Sequence, residues 1–197
     1  MPRKLGLAIA GCTALMLPVV SATPALAHGY TTSPPSRSSR CASGQVTNCG
    51  PIQWEPQSVE GPKGFPASGP RDGTICAAGD SRWAPLDDPR GGQWPAARLT
   101  SGQATGFNWR LTAVHATTSF RYFITRNGWN RTRPLTRAAL ESAPFLRQDY
   151  GGQRPPATVT HQGTIPAGKT GRHLVLAVWD IADTPNAFYS CADVDLG

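Results

Sequence analysis

A cut after Ala25-Leu26-Ala27 makes His28 the first residue of the remaining chain, and a free terminal histidine offers a metal its α-amine together with its imidazole Nδ1. Three further histidines follow: His115, His161 and His173. His115 closes the run Leu111-Thr112-Ala113-Val114-His115, where a side chain can leave a sheet edge and face a loop. With His28 beside it, one amine and two imidazoles make a nitrogen-only site that suits Cu(II), and imidazole also serves Cu(I). The amine, with a reference pKa of about 7.7–8.0, binds only after losing its proton, so affinity falls in acid. Spacing alone leaves a second reading open for His115, that of an ordinary histidine at a strand end. His161 and His173 lie within strand patterns, where structural hydrogen bonding is expected.

The cut is expected because residues 1–27 have the three parts of a secretory signal: basic Arg3 and Lys4, an apolar stretch from Leu5 to Val20, and a small-x-small end. Such a segment is removed, so it is not a membrane span. A competing reading takes Ile9-Ala10-Gly11-Cys12 as a lipoprotein box, but the apolar run ahead of Cys12 is only Leu5 to Gly11. The expected destination is extracellular, with no membrane association once the signal is gone.

Residues 28–197 have the size of one domain with a sizeable core, and a single domain is expected. The formal charge of +7 falls by two units with Arg3 and Lys4. The remaining Arg residues are scattered, so the excess reads as a solvated surface and nucleic acid is not an expected partner. Of the five Cys, Cys12 leaves with the signal; Cys41, Cys49, Cys76 and Cys191 remain, and an even number in an oxidising compartment suggests two disulfides. Cys41 with Cys49 closes a short loop, which leaves Cys76 with Cys191. A Cys-rich zinc site needs ligand pairs two to four residues apart, and none exists here. Met1 and Met16 both precede His28, so no thioether ligand remains.

The elements that must hold the histidines change character along the chain. From His28 to about Thr100 the sequence is dense in Gly and Pro, as in Gly61-Pro62-Lys63-Gly64 and Asp88-Pro89-Arg90-Gly91-Gly92. It reads as a long irregular region pinned by disulfides, carrying function or short helical turns. After Ser101, Phe107 to Val114 and Phe120 to Thr125 alternate as half-buried strands, and Thr158 to Ile165, His173 to Ile181 and Ala187 to Leu196 supply three more. Leu174 to Trp179 is almost continuously apolar, as a buried core strand is. Leu135 to Ser142 is helix-compatible, with Thr136 as a cap and Pro144 as a stop. The pattern predicts a mostly β, immunoglobulin or fibronectin III-like antiparallel sandwich with a disulfide-pinned loop region containing short helices.

Several separate motifs agree in order. They are His28-Gly29-Tyr30, Trp54-Glu55-Pro56-Gln57-Ser58-Val59-Glu60-Gly61, Leu111 to His115 followed by Arg121 to Thr125, and Ala177-Val178-Trp179-Asp180-Ile181-Ala182-Asp183 with Asn186-Ala187-Phe188-Tyr189. Together they resemble the bacterial lytic polysaccharide monooxygenases of the chitin-binding type over nearly all of residues 28–197. The resemblance implies that His28 and His115 form a copper-holding brace for one ion cycling between Cu(II) and Cu(I). Phe188 matches the axial side of the copper, where relatives carry Tyr. Ala113 matches the small residue beside the open position, Glu60 a nearby orienting carboxylate, and Trp179 an aromatic packed behind the site. Trp54 matches an exposed aromatic that lies on the polysaccharide, while Glu55, Thr112, Asp183, Thr184 and Asn186 match polar parts of the binding face. Trp83 and Trp94 could also face a sugar, but buried loop anchors are the commoner outcome for Trp. The implied partners are crystalline chitin, an external electron donor, and hydrogen peroxide or dioxygen, with the protein a monomer. Family relatives carry a disulfide where this chain has Leu146 and Gly163, which makes the loop near Cys76 a place where the chain departs from the pattern.

The implied activity is oxidative cleavage of glycosidic bonds in crystalline chitin, with C1 oxidation giving a lactone that opens to an aldonic acid. A binding-only reading is a non-catalytic chitin-binding protein that assists chitinases. A secreted copper carrier is disfavoured because Cu(I) carriage favours soft sulfur. A glycoside hydrolase needs two carboxylates across a bond, for which Asp87-Asp88 or Asp193 with Asp195 are the candidates.

Overall fold

The computed structural model describes Met1 and residues 27–197; the signal reading, with Cys12 and Met16, lies largely outside the described residues. A three-stranded antiparallel sheet has the order β1 (His28–Ser33), β4 (Ala104–Ala113), β7 (Thr158–Thr164). A six-stranded sheet follows the path β2 (Glu60–Pro62), β9 (Asn186–Leu196), β8 (Gly171–Ile181), β5 (Thr117–Ile124), β6 (Leu146–Asp149). A short β3 (Ala97–Leu99) adds to the far end of β9 in parallel. The sandwich is therefore mostly β, as the alternation predicts.

Period-2 patterning explains the inner faces. Phe107, Trp109 and Leu111 of β4 turn inward against Phe120, Tyr122, Trp179 and Phe188 of the larger sheet, and all are buried. Trp179 stacks on Phe120 with ring centroids 5.6 Å apart and 3° between planes. β8 is buried on both sides because its other face, Leu174, Leu176 and Val178, packs on a second core formed by the loop region. That region is a third layer with its own cluster: Ile52, Val59, Phe65, Ile75, Trp83, Leu86 and Trp94. It contains one α-helix, α1 (Arg37–Ala42), whose N-cap Ser36 accepts from Ser39 N, and short 3-10 turns at Gly50–Gln53, Ser81–Leu86 and Arg90–Gly92.

Both disulfides form as the Cys spacing predicts, Cys41–Cys49 across the end of α1 and Cys76–Cys191 from the loop layer to β9. The helix-compatible stretch Leu135 to Ser142 forms only one 3-10 turn, Arg137–Ala139. Leu140 leaves in an extended conformation and bridges to Thr125, so tertiary pairing overrides the local propensity. At the departure noted above, Leu146 lies directly over Gly163, where a Cβ would meet its Cδ2 at 2.7 Å.

Candidate metal centre and its polar cleft

Gly29 lets β1 reach the core. A Cβ at this position would stand 2.6 Å from Leu111 Cδ2 and 3.1 Å from Trp179 Cζ3, so only glycine allows the strand to lie this close. The pairing puts His28 opposite Ala113, two residues before His115. Both histidines thus come to one end of the small sheet. The other two do not: His161 lies in the core with Nδ1 2.6 Å from Tyr122 Oη and Nε2 3.1 Å from Tyr150 Oη, and His173 Nδ1 meets Thr125 Oγ1 at 2.9 Å. Desolvation drives the His161 pKa down to about 4 and also lowers that of His173.

His115 is buried and its backbone is fixed from behind. Thr117 Oγ1 donates to the His115 carbonyl at 2.9 Å and accepts from Trp179 Nε1 at 2.8 Å. Thr117 was not singled out in the sequence, although its place two residues after His115 and the turn between them are the signal. His115 Nε2 makes no hydrogen bond and has almost no solvent contact. Asp183 Oδ1 stands 2.8 Å from it, off the direction an Nε2–H takes, so the two atoms are close without bonding. A buried ring nitrogen left unpaired in this way is what a metal ligand looks like before the metal arrives.

Phe188 is fully buried, 6.3 Å from the His28 ring and 5.1 Å from Trp179, centroid to centroid. Glu60 pairs in register with Phe188, and its Oε1 accepts from Asn186 Nδ2 at 2.8 Å. The close approach of Ala78 to Gly61, where a Cβ would stand 2.1 Å from the Ala78 carbonyl oxygen, holds β2 in that position. Ala113 is half-buried beside the pair.

An open polar cleft of ≈ 290 Å³ adjoins His28, lined by Glu55, Ser58, Glu60, Arg82, Trp83 and Asn186 among others. Ser58 and Arg82 are additions that the sequence reading did not place here, and Trp83, buried as expected, also lines the cleft. Arg82 is held by Asp80 and lies over the Trp83 ring at 4.8 Å. Trp54, 78% exposed, caps a 3-10 turn on this side, and Glu55, Thr112 and Asp183 are exposed while Thr184 and Asn186 are half-buried. Trp83 and Trp94 are buried, Trp94 between the Arg37 and Arg90 guanidinium groups. The carboxylates named for a hydrolase face no common cleft. Asp193 forms a buried pair with Arg37, Asp195 lies opposite Arg172, and Asp87 accepts from Cys76 N and Ala77 N.

The donor set fits copper. Two imidazoles stand at one end of the sheet, one nitrogen is buried and unpaired, and the cysteines from Cys41 onward are in disulfides. Among the described residues no cluster of three or more His, Cys, Asp or Glu offers a rival site, and no helix is long and apolar enough to cross a membrane.

Comparison with known proteins gives the family and the fold. A family profile described as "Lytic polysaccharide mono-oxygenase, cellulose-degrading" matches residues 28–194. A curated relative, the GlcNAc-binding protein A of Shewanella oneidensis, is 46% identical over 171 residues, covering 87% of this chain and 36% of its own length. The chain spans about a third to about half of the curated relatives it matches. Among solved structures, an AA10 lytic polysaccharide monooxygenase from Streptomyces lividans is 55% identical with a TM-score of 0.84, covering 85% of this chain and 99% of that one. A Bacillus amyloliquefaciens protein described as in complex with Cu(I) after photoreduction is 36% identical with a TM-score of 0.80, covering 86% of this chain and all of that one.

Proposed function

The chain belongs to the AA10 lytic polysaccharide monooxygenases, and from that premise we propose that it cleaves glycosidic bonds in crystalline chitin oxidatively, at C1, with one copper ion held by His28 and His115. The unit that acts is 28–197, exported and freed of a leader ending at Ala27. In the unprocessed chain the His28 nitrogen is an amide; cleavage turns it into an amine, the third nitrogen of the set. The observation that carries the reading is the buried, unpaired Nε2 of His115 at the sheet end that β1 shares with it.

Copper held by His28 and His115 would supply one-electron redox chemistry for oxidation at the glycosidic carbon, drawing on an external electron donor and on hydrogen peroxide or dioxygen. The chain's residues bind, orient and shield. Thr117 and Trp179 fix the backbone that carries His115. Phe188 and Trp179 form a dry wall behind the histidines, which raises the strength of every polar contact in front of it. Ala113 leaves room beside them. Glu60, its carboxylate steered by Asn186, stands ready to accept a hydrogen bond from a small oxidant. Trp54 offers a flat apolar ring to the C–H face of a sugar, and Glu55, Thr112, Thr184 and Asn186 bond hydroxyl and amide groups. An exposed metal face suits a crystal, whereas a deep cleft must first extract one chain.

The GlcNAc-binding relative favours chitin, and the profile's wording makes cellulose the alternative to test. Copper-loaded protein starting at His28, incubated with β-chitin, α-chitin or cellulose plus ascorbate and peroxide, is expected to release aldonic-acid-ended oligosaccharides from chitin, seen by mass spectrometry and abolished by EDTA. Products from cellulose alone contradict the substrate. Binding to chitin with no oxidised product under any supply of peroxide favours the non-catalytic reading instead.

A further inference from the structure

The Asp183 carboxylate and the His115 imidazole are placed too close to ignore each other, yet do not hydrogen-bond. Two ligands about 2.0–2.1 Å from a metal and at right angles to one another have their donor atoms about 2.9 Å apart. The 2.8 Å between Asp183 Oδ1 and His115 Nε2, with no hydrogen bond from the ring nitrogen, is the spacing of a pair converging on a common cation. Their exposures differ in a useful way: the His115 side chain is 11% exposed and that of Asp183 55%.

Asp183 is also carried on a held loop. Ala182 N donates to the Ala116 carbonyl at 2.8 Å, which ties the β8–β9 loop to the segment just after His115. On the other side Lys63 N donates to the Pro185 carbonyl at 2.9 Å, and Lys63 Nζ donates to the Ile181 carbonyl. The carboxylate is thus presented to solvent while fixed against the ligand. The chain as a whole is positive, +7 before any processing, so a cation approaching from bulk is repelled until it meets a local negative group.

We propose that Asp183 is the copper-acquisition residue: it captures Cu(II) jointly with His115 Nε2 and hands the ion to the two histidines when His28 closes on it. This rests on the copper site proposed above. The exchange balances as a ligand substitution: the Asp183–copper bond breaks, the bonds to the His28 amine and imidazole form, the amine proton leaves to solvent, and no electron moves. The released carboxylate is then free to meet sugar hydroxyls.

The test mixes metal-free protein starting at His28 with Cu(II) by stopped flow and follows the quenching of tryptophan emission. Asp183→Asn is expected to slow association about tenfold and to flatten its dependence on salt, with the thermal midpoint unchanged. Asp183→Glu should restore most of the rate. The electron paramagnetic resonance spectrum of fully loaded Asp183→Asn should match that of the parent, since the carboxylate is absent from the final set. Parent-like association and salt dependence in Asp183→Asn overturn the proposal, and an altered spectrum overturns the handover. Unchanged copper affinity in His115→Ala, measured alongside, instead overturns the copper site on which the proposal rests.

Discussion

The two faces of β8 meet different kinds of neighbour. Toward the small sheet, Val175, Ala177, Trp179 and Ile181 join a core of interlocked rings, with Trp109, Phe120 and Tyr122 in contact across the sandwich. Toward the other side, Leu174, Leu176 and Val178 meet a layer of loops tied by Cys76–Cys191, by the buried Arg37–Asp193 pair and by backbone caps such as Asp87. The site straddles the boundary. His28 and His115 hang from the sandwich, as does Glu60 on β2, while Trp54, Glu55, Arg82 and Trp83 come from the loop layer. Metal holding and surface contact therefore depend on different parts of the chain, and each should fail separately.

The largest effect on stability is expected on the sandwich side. Trp179→Ala removes a fully buried ring that touches Phe120, Trp109 and Phe188, and should cost about 3–5 kcal/mol in denaturant melts while also loosening copper, because Thr117 loses its partner. Replacing Cys76 and Cys191 with Ser should cost about 2–4 kcal/mol and open residues 63–92 to proteolysis. Copper affinity should survive that change, and parallel loss of both properties would break the separation.

Acid titration sharpens the same contrast, because the two layers bury groups of opposite sign. His161 has a folded pKa of about 4 against an unfolded value of about 6.5, so the unfolded chain binds more protons in between and stability falls as pH drops through that window. Asp87, raised to about 6 by burial from a reference of 3.8, does the reverse: the folded chain binds the extra proton, and stability falls as pH rises through its window. His161→Gln should flatten the loss of stability between about pH 6 and 4, and Asp87→Asn should steepen it, each by on the order of 1–2 kcal/mol. Identical slopes in the two variants contradict the assignment. The smallest effect is expected from Trp54→Ala, which should weaken chitin binding by about 1 kcal/mol in adsorption isotherms and leave copper affinity untouched.

The same boundary marks how far the sequence could be read. Phe107 to Val114 and Leu174 to Trp179 announced their strands because side chains alternate or vanish into two cores. β1, β2, β3 and β6 were missed as strands: each spans at most six residues, and their pairing comes from partners far along the chain rather than from their own pattern. Glu60-Gly61-Pro62 looks like a turn until Phe188 and Ala187 are set beside it. The processing site and the strand end make His28 and His115 candidates, but the strand end alone suits an ordinary histidine, and only the resemblance joins the two in a brace and adds Phe188, Glu60 and Trp54. Thr117 and Arg82 are not legible in the sequence, since each gains its place only when a loop folds back on a sheet. The resemblance makes Asp183 a sugar contact, and its approach to His115 depends on the Ala182–Ala116 bond that no local pattern encodes.

The central claim is that copper is held by His115 together with a terminal amine that exists only after cleavage ahead of His28. Isothermal titration of Cu(II) into chains beginning at His28 or carrying one extra Gly before it tests this most directly. A single tight site is expected in the first, and in the second a loss larger than the roughly 10–100-fold that removing an outer partner of a metal ligand causes. Equal affinity in the two chains would contradict the account.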